Sequence, residues 1–343
     1  FDPTPYALAL TAKFLRNDQV IATREDGEKT CFTLPRKFKI TVGGCCAGED
    51  CGQAAINDVG LLAATKVIDG RVVHGFEMRA GGGLAAQPRE ATMLVDFVPG
   101  DEVLVWTEAV LRVFAMYGNY DMSPRGRVHA RLKYIIFDKG WEWFRDEVYR
   151  VRATLAAGEP IALPPPETES RSAAARADGP GVSYRGDPDL AQWRSVNARP
   201  QRQAEMQACF ATVPLGDLSA EQFRAIGRVA MKYGDGTIRL TDQQNVLFRW
   251  VREANIGHVY AELRQVGLAQ PRAGLIGDVT SCPGADTCRV GITSSKGLAG
   301  DLGGFLDGAG SEIARDPDLG KVHIKISGCP NSCGQHHLGT IGL

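Results

Sequence analysis

The segment CGQHHLGTIGL, residues 333–343, repeats the pattern of CGQAAINDVGL, residues 51–61, with Cys-Gly-Gln at one end and Gly-Leu at the other. A short β-branched segment precedes each copy, KFKITVGGC in the first case and KVHIKISGC in the second. Self-similarity at equal internal spacing indicates a repeated structural unit. We predict two related units, each with a cysteine turn at the carboxyl end of a strand and a helix after it, where an α/β layer gathers its ligand-binding groups.

The composition is that of a globular chain without a preference for polyanions. The 343 residues are 44% hydrophobic and 23% charged, enough for one large core or for two to three ordinary ones. A net charge of -1 and a pI of about 6.7 give no indication of nucleic acid or a membrane surface as partner. The sequence has no apolar run of about 18 residues and no secretion-signal pattern, so we expect a cytoplasmic protein.

A segment rich in proline and small residues divides the chain. Residues 158–185 contain three consecutive prolines and no apolar periodicity, which is typical of a linker. We predict a first α/β unit at 1–157, a smaller α+β domain at 186–270 and a second α/β unit at 271–343.

The segment after the linker has the element order of half a ferredoxin-like unit. QACFATVP predicts a strand, and Ser219 and Gln222 have capping-box spacing at the start of a helix. TIRLT and NVLFRWV predict two strands joined by a polar DQQ turn, and IGHVYAELRQVG predicts a second helix that ends at Gly267. The order strand, helix, strand, strand, helix is that of half a ferredoxin-like fold. The apolar face expected for the first helix comprises Phe223, Ile226, Val229 and Ala230.

The last cysteines of the chain form two closely spaced pairs. Five residues separate Cys282 from Cys288, and three residues separate Cys329 from Cys333. Two such pairs can present four thiolates to one inorganic centre. Zinc sites favour gaps of about two to four residues, whereas the wider first pair suits an iron–sulfur cubane, whose ligands arrive from several directions. Zinc ligation and free or redox-active thiols are the alternatives.

CPGADTC followed by ISGCPNSCGQ resembles the signature of the sirohaem-dependent nitrite and sulfite reductases. TLPRKFKI is similar to the basic substrate-binding stretch of that family, GFEMRAGGGL to its glycine-rich turn beside the tetrapyrrole, and IRLTDQQNVLF to the strand pair of its ferredoxin-like half domain. The resemblance covers nearly the whole chain. It implies an α+β fold built as a tandem repeat of ferredoxin-like half domains and α/β sirohaem–4Fe-4S domains, in which only the second unit holds the cluster.

The resemblance also implies a role for each matching residue. The four late cysteines would bind the 4Fe-4S cluster, with Cys333 also the proximal ligand of the sirohaem iron and Asn331 in contact with the macrocycle. Lys37 and Lys39 would face the substrate, since alternate residues of a strand share a face and two ammonium groups can hold a small oxyanion and supply protons. Further cofactor-binding residues would be Arg127, Arg131, Gly81, Gly82 and Gly83.

Plainer roles stay open for several of these residues. The two lysines also fit a solvated edge strand. Arg127 and Arg131, four apart and on one face if helical, fit a solvated basic face as well as a clamp on the sirohaem carboxylates. The three glycines also fit a turn that needs positive φ. His336 and His337 are expected to begin a helix and to have no catalytic role. The early cysteines, which lack a second pair, are expected to be inert thiols: Cys45, Cys46 and Cys51.

The implied reaction is the six-electron reduction of sulfite to sulfide, with electrons from ferredoxin or a flavoprotein. The Lys-x-Lys pattern resembles the sulfite reductases, and doubly charged sulfite needs the second cation more than nitrite does. CPNSCGQ is closer to the nitrite reductases, so reduction of nitrite to ammonia is the alternative. A non-catalytic metal-binding repeat protein is a further alternative. The pattern of the family extends past both ends of this sequence, so we expect a fragment of a longer reductase.

Overall fold

The computed structural model describes residues 1–15, 19–24, 27–31, 34–44, 50, 52–85, 87–122, 128–162, 186–319 and 322–343. The chain divides into two compact units, Phe1–Pro164 and Pro165–Leu343. None of the described helices is long and apolar enough to cross a lipid bilayer.

The first unit is built on a four-stranded sheet with the order β3-β4-β5-β6. β3 runs parallel to β4, whereas the β4–β5 and β5–β6 pairs are antiparallel. A separate antiparallel pair is formed by β1 and β2. The strands are β1 Val20–Thr23, β2 Lys29–Cys31, β3 Ile40–Gly43, β4 Val59–Ile68, β5 Arg71–Ala80 and β6 Thr92–Pro99. The helices are α1 Thr4–Phe14, α2 Val103–Tyr117, α3 Leu132–Lys139 and α4 Trp141–Ala153.

A two-residue turn aligns the long hairpin of this sheet. Asp69 and Gly70 have φ values of 50° and 73°. Both lie in the left-handed region that the right-handed twist of a tight hairpin requires, and Asp-Gly adopts it at low cost. The hairpin carries the chain back to Ala80, directly before the three glycines. The core of the unit includes Phe76 and Met78 of the sheet and Phe114 and Phe144 of the helices, all fully buried.

The second unit contains two sheets. An antiparallel sheet has the order β7-β8-β10-β9, and a parallel sheet has the order β11-β12-β13. The strands are β7 Ala198–Pro200, β8 Met206–Ala211, β9 Arg239–Leu240, β10 Val246–Arg252, β11 Thr280–Ser281, β12 Ile324–Ile326 and β13 Ile341–Gly342. The helices are α5 Pro188–Asn197, α6 Ala220–Tyr233, α7 Ile256–Gln265, α8 Ser295–Asp307 and α9 Ser311–Arg315.

The predicted order strand, helix, strand, strand, helix is confirmed as β8, α6, β9, β10 and α7. The capping box of α6 is also confirmed, since Gln222 N donates to Ser219 Oγ over 3.2 Å and Ser219 N donates to Gln222 Oε1 over 2.9 Å. Phe223 was placed on the wrong face, because its side chain is 60% exposed. The buried face of α6 begins a residue or two later, and comprises Ala225, Ile226, Val229, Ala230 and Tyr233.

The sequence repeat corresponds to a repeated backbone. β3 pairs in parallel with β4 as Ile40 opposite Val59, and β12 pairs in parallel with β13 as Ile324 opposite Ile341. Between the paired strands of each copy lies a turn of 3-10 helix, Ala54–Ile56 in the first and His336–Leu338 in the second. The helix predicted after each cysteine turn is therefore present only as a three-residue 3-10 turn. A left-handed glutamine precedes each 3-10 turn, Gln53 in the first copy and Gln335 in the second, and the next strand begins after five further residues.

Candidate functional site

The two cysteine loops begin at one edge of the parallel sheet in the second unit. Cys282 directly follows β11, and Cys329 follows β12 after two residues. The two strands are neighbours, with Ser281 opposite Ile326, and Cys282 N donates to Ile326 O over 3.1 Å. Because carboxyl ends of adjacent parallel strands meet at one edge, the loops of both cysteine pairs start side by side.

Backbone contacts through glycine fasten the two loops together. Gly328 O accepts from Ile292 N at 2.7 Å and from Thr293 N at 3.2 Å. A Cβ at Gly328 would lie 2.7 Å from Thr293 O, and one at Gly334 would lie 1.9 Å from Ile326 O. Only glycine allows backbone segments to approach this closely. Gly328 is therefore required by packing between the two loops, and Gly334 by packing of its turn against β12.

The thiol of Cys282 lies in surroundings that favour the thiolate. Gly328 N donates to Cys282 Sγ over 3.1 Å, and Ser295 Oγ lies 3.2 Å from the same sulfur. Burial would raise the pKa of the Cys282 thiol, but the Gly328 N–H and the Ser295 hydroxyl outweigh it, so the pKa is lowered. The thiolate is the form that binds metals, and N–H groups aimed at a ligand sulfur are typical of metal-binding loops.

The four cysteines differ in exposure. Cys282 is buried, Cys288 and Cys329 are half-buried, and Cys333 is exposed. In the described part of the chain, no three His, Cys, Asp or Glu side chains converge closely enough to hold a single metal ion. A cubane supplies its own iron and sulfide core, so its ligands stand further apart than those of one zinc ion.

Three buried polar atoms beside the cysteines have no hydrogen-bond partner among the described residues: Ser281 Oγ, Ser332 Oγ and His336 Nδ1. Ser281 precedes Cys282, and Ser332 precedes Cys333. The backbone of Ser332 has a φ of 57°. Buried polar groups are normally paired, and an orphan calls for an explanation such as an ion or ligand. Asn331, by contrast, is exposed beside Ser332. The donor set of the loops therefore suits an additional group with acceptor atoms.

A glutamine of the half domain holds the strand that leads to Cys282. Gln244 Nε2 donates to Ser281 O over 2.9 Å, and Ser281 N donates to Gln244 Oε1 over 3.1 Å. The side-chain amide thus pairs with the backbone as a neighbouring strand would. Gln244 has φ of 68°, in the left-handed region. The sequence shows the DQQ turn, but nothing in it indicates this contact.

Lys37 and Lys39 are exposed side chains of the first unit. The strand predicted to carry both begins only at Ile40, because the backbone of Lys39 bonds to a side chain: Lys39 N donates to Asp58 Oδ2 over 2.8 Å. Lys37 lines an open cleft of about 640 Å³ beneath α1, together with apolar residues that include Phe14. The role of the two lysines toward an oxyanion stays a prediction.

Arg131 is engaged inside the first unit. Its Nε and a terminal nitrogen donate to the Asp58 carboxylate over 3.1 and 2.8 Å. Burial raises the pKa of Asp58, while the Arg131 guanidinium and the Lys39 N–H act against this rise. The helical face expected for Arg127 and Arg131 was wrong, because α3 begins at Leu132 and Arg131 is extended. Arg127 lies outside the described residues.

The three glycines are buried, and protein atoms fill the space where their side chains would be. A Cβ at Gly81 would lie 2.2 Å from Ile136 Cδ1, one at Gly82 would lie 2.5 Å from Ala55 O, and one at Gly83 would lie 3.3 Å from Arg131. Gly81 has φ of 85°, so the turn interpretation holds at that position. Their contact with a flat ligand stays a prediction.

Lys133 is a buried residue that sequence reasoning missed. Its side chain is 1% exposed, and Nζ donates to the carbonyls of Gly83, Leu84 and Gln87. Burial and the Arg131 charge lower the pKa of Lys133 to about 8, against the effect of Asp58. Lys133 therefore fixes the loop after the glycines through carbonyl oxygens. No pattern signalled it, because a lysine at a helix start is usually exposed.

Two histidines follow Cys333 closely in the chain. His336 and His337 begin the 3-10 turn after Cys333, with ring centroids 4.0 Å apart. Cys45, Cys46 and Cys51 lie outside the described residues.

The fold and the paired loops are those of an α+β protein with a repeated unit and one cysteine-rich edge. The model for the "nitrite and sulphite reductase 4Fe-4S domain" matches residues 1–155, and the model for the "nitrite/sulfite reductase ferredoxin-like half domain" matches residues 199–266. The chain belongs to the nitrite and sulphite reductase family.

Two relatives are enzymes named for nitrite. The assimilatory ferredoxin-dependent nitrite reductase of Haloferax mediterranei is 31% identical over 90% of this chain and 50% of its own length. The ferredoxin–nitrite reductase of Synechococcus elongatus is 31% identical over 96% of this chain and 56% of its own length.

A third relative is named for sulfite. Sulfite reductase [ferredoxin] 2 of Mycolicibacterium paratuberculosis is 27% identical over 94% of this chain and 52% of its own length. The chain spans about half the length of the curated relatives it matches. The solved structure of the NirA protein of Mycobacterium tuberculosis shares the fold, with a TM-score of 0.70 at 23% identity over 98% of this chain and 53% of that one.

Proposed function

We propose that this chain is part of a reductase that converts sulfite to sulfide by six electrons at a coupled sirohaem–4Fe-4S centre. The observation that carries the proposal is the pair of cysteine loops at adjacent parallel strand ends, with a backbone N–H donated to Cys282 Sγ over 3.1 Å. Cys282, Cys288, Cys329 and Cys333 would hold the cluster. The relatives are named as ferredoxin-dependent enzymes, which supports ferredoxin as electron donor.

Other roles, in binding the sirohaem and the substrate, would belong to residues of this chain. Cys333, the exposed member of the quartet, would link the cluster to the sirohaem iron, and Asn331 would contact the macrocycle. Lys37 and Lys39 would bind the oxyanion and donate protons as oxygen leaves as water. The cofactors would supply the redox chemistry itself.

Nitrite is the second candidate substrate. The CPNSCGQ segment and the names of two relatives support it. The Lys-x-Lys pair supports sulfite, since a second cation lowers the energy of a doubly charged anion more than that of a singly charged one.

The test is to express the protein with a sirohaem supply, to record its visible spectrum, and to compare its turnover of sulfite and of nitrite with a reduced viologen as electron donor. Absence of both tetrapyrrole absorption and acid-labile sulfide would indicate a non-catalytic metal-binding protein instead.

Substitution of Lys39 tests the choice of substrate. Lys39→Asn should move the ratio of kcat/KM for sulfite over nitrite toward nitrite by about tenfold, which is about 1.4 kcal/mol of transition-state energy. Lys66→Asn is the control, since Lys66 is an exposed strand lysine paired with Asp96. An unchanged ratio in Lys39→Asn would remove the reason to prefer sulfite.

A further inference from the structure

The middle residue of β12 is a buried lysine. Lys325 is 6% exposed, and its neighbours across the sheet are Thr280 of β11 and Gly342 of β13. Charged lysines are almost never buried unless a partner or a function accounts for them. Here the ammonium donates to a neutral group, the amide oxygen Gln335 Oε1, over 3.2 Å.

This lysine lies close to both cysteine loops. Cys329 is four residues further along the same strand and loop, and Cys282 is two residues beyond the strand partner Thr280. At about 3.3 Å per residue along a strand, Cys282 is only about 7 Å beyond the level of Lys325. Gln335, which accepts the hydrogen bond, is two residues after Cys333 and belongs to the same turn, since Gln335 N donates to Ser332 O over 3.0 Å.

Two acidic residues act on Lys325 electrostatically, Asp242 and Asp278. Asp242 is exposed to solvent. Asp278 is buried, but its Oδ2 already accepts from Asn245 Nδ2 at 2.7 Å and from Gly274 N at 2.8 Å. Burial lowers the pKa of Lys325, and the two carboxylates act in the opposite direction.

The first repeat has a neutral residue at the equivalent position. Thr41 pairs with Gly60 as Lys325 pairs with Gly342, one residue into each parallel pair. Thr41 Oγ1 donates to Gly52 O over 2.5 Å and needs no charge to do so. The positively charged residue therefore occurs in the copy whose loop contains Cys329 and Cys333. The backbone of the repeat does not itself require a charge at this position, because the first copy has the hydroxyl of Thr41 there.

We propose that Lys325 sets the reduction potential of the iron–sulfur cluster, raising it through a buried positive charge beneath the cysteine loops. Four thiolates give the cluster a net negative charge, and reduction adds another electron. In a low-dielectric interior a nearby cation stabilises the more negative, reduced form. This inference rests on the proposed function, because it requires the cluster to be present.

The test is an EPR-monitored redox titration of the cluster-loaded chain, with iron and acid-labile sulfide measured on each sample. Lys325→Gln removes the charge at similar length, and Lys325→Met is a second neutral variant for a buried strand position. Lys325→Arg keeps the charge. Lys296→Gln is the control, since Lys296 is on the surface and paired with Asp217 at 2.6 Å.

In both neutral variants we expect the equilibrium constant for reduction of the cluster to be about tenfold smaller. For a one-electron couple, this is a shift of the reduction potential by about 59 mV to a more negative value. Lys325→Arg and Lys296→Gln should stay within twofold of the unsubstituted chain. A neutral variant with full iron and sulfide and an unchanged potential overturns the inference, as does loss of the cluster from both neutral variants, which would make the role structural. An unsubstituted chain that holds neither iron nor sulfide overturns the proposed function instead.

Discussion

The two repeats share a backbone frame and differ in the side chains placed on it. In the first, Val59 N donates to Lys39 O over 3.0 Å, and in the second, Ile341 N donates to His323 O over 3.1 Å. In each copy, the side chain of the residue before the second strand accepts a hydrogen bond from the backbone before the first strand. Asp58 accepts from Lys39 N at 2.8 Å, and Thr340 accepts from His323 N at 3.2 Å. The frame therefore tolerates a carboxylate or a hydroxyl at one position.

The difference lies in what each copy buries. The first buries Asp58 with Arg131, an ion pair contained within the protein. The second places Lys325 where the first has Thr41, and gathers cysteines where the sheet ends. The model of the 4Fe-4S domain matches residues 1–155, which do not contain the four late cysteines, so the backbone frame of this domain does not depend on them.

The largest expected difference between the repeats concerns metal content. Cys333→Ser should remove essentially all iron and acid-labile sulfide from the chain, because a cubane needs its four thiolate ligands. The matched variant Cys51→Ser changes the equivalent residue of the first repeat, which has no second cysteine pair, and should retain both. Iron and sulfide per chain are the measurement. Equal loss in the two variants would show that the first repeat also contributes ligands.

The next difference concerns stability. Asp58→Ala leaves the Arg131 guanidinium without its buried partner and should lower the free energy of unfolding by about 3–5 kcal/mol. Thr340→Val removes one hydrogen bond at the equivalent position and should cost about 1 kcal/mol. Urea titrations compare the two.

A double variant checks the cause. Asp58→Leu with Arg131→Met removes both charges, and should be less destabilised than Asp58→Ala alone, since no uncompensated charge stays buried. If the double variant is the less stable protein, the carboxylate contributes through its bond from Lys39 N and not through the ion pair.

Sequence patterns predicted the features that depend on local spacing. The strand before each cysteine turn, the capping box at Ser219 and the left-handed Gly267 after α7 each follow from residues close together in the chain. The cysteine pairs were recognisable for the same reason. Their placement on the adjacent parallel strands β11 and β12 had no such signal, because the repeat relates β12 to β3 and not to β11.

Features that join distant segments had no such signal. Asp58 and Arg131 are 73 residues apart, and neither has a local pattern that marks a buried partner. The bond of Gln244 to the strand before Cys282 likewise depends on the packing of two sheets. Phe223 was misplaced because helical periodicity gives the direction of an apolar face, whereas the residues at its margin are buried or exposed according to tertiary packing.

Glycine substitutions compare the fit of the two turns. A Cβ at Gly334 would lie 1.9 Å from Ile326 O and 3.0 Å from Cys282 N, backbone atoms that cannot move independently. At Gly52 the nearest atom is the side-chain oxygen Thr41 Oγ1, 2.8 Å away. Gly334→Ala should cost about 3 kcal/mol and Gly52→Ala about 1 kcal/mol. Urea unfolding midpoints measure both, and equal shifts would mean that the second turn is no tighter than the first.

The smallest expected effect is the pH dependence of stability that comes from Lys133, the buried lysine of the first unit. Lys133 donates to carbonyls, and its pKa is lowered from 10.5 to about 8. Between these values the unfolded chain holds a proton that the folded chain has released, so stability rises with pH, by about 1 kcal/mol per unit or less. Lys133→Met should lack this rise above pH 8, whereas exposed Lys66→Met should keep it. Parallel profiles for Lys133→Met and the unsubstituted chain, measured by urea titration from pH 7 to 10, would mean that the ammonium stays charged among its carbonyls.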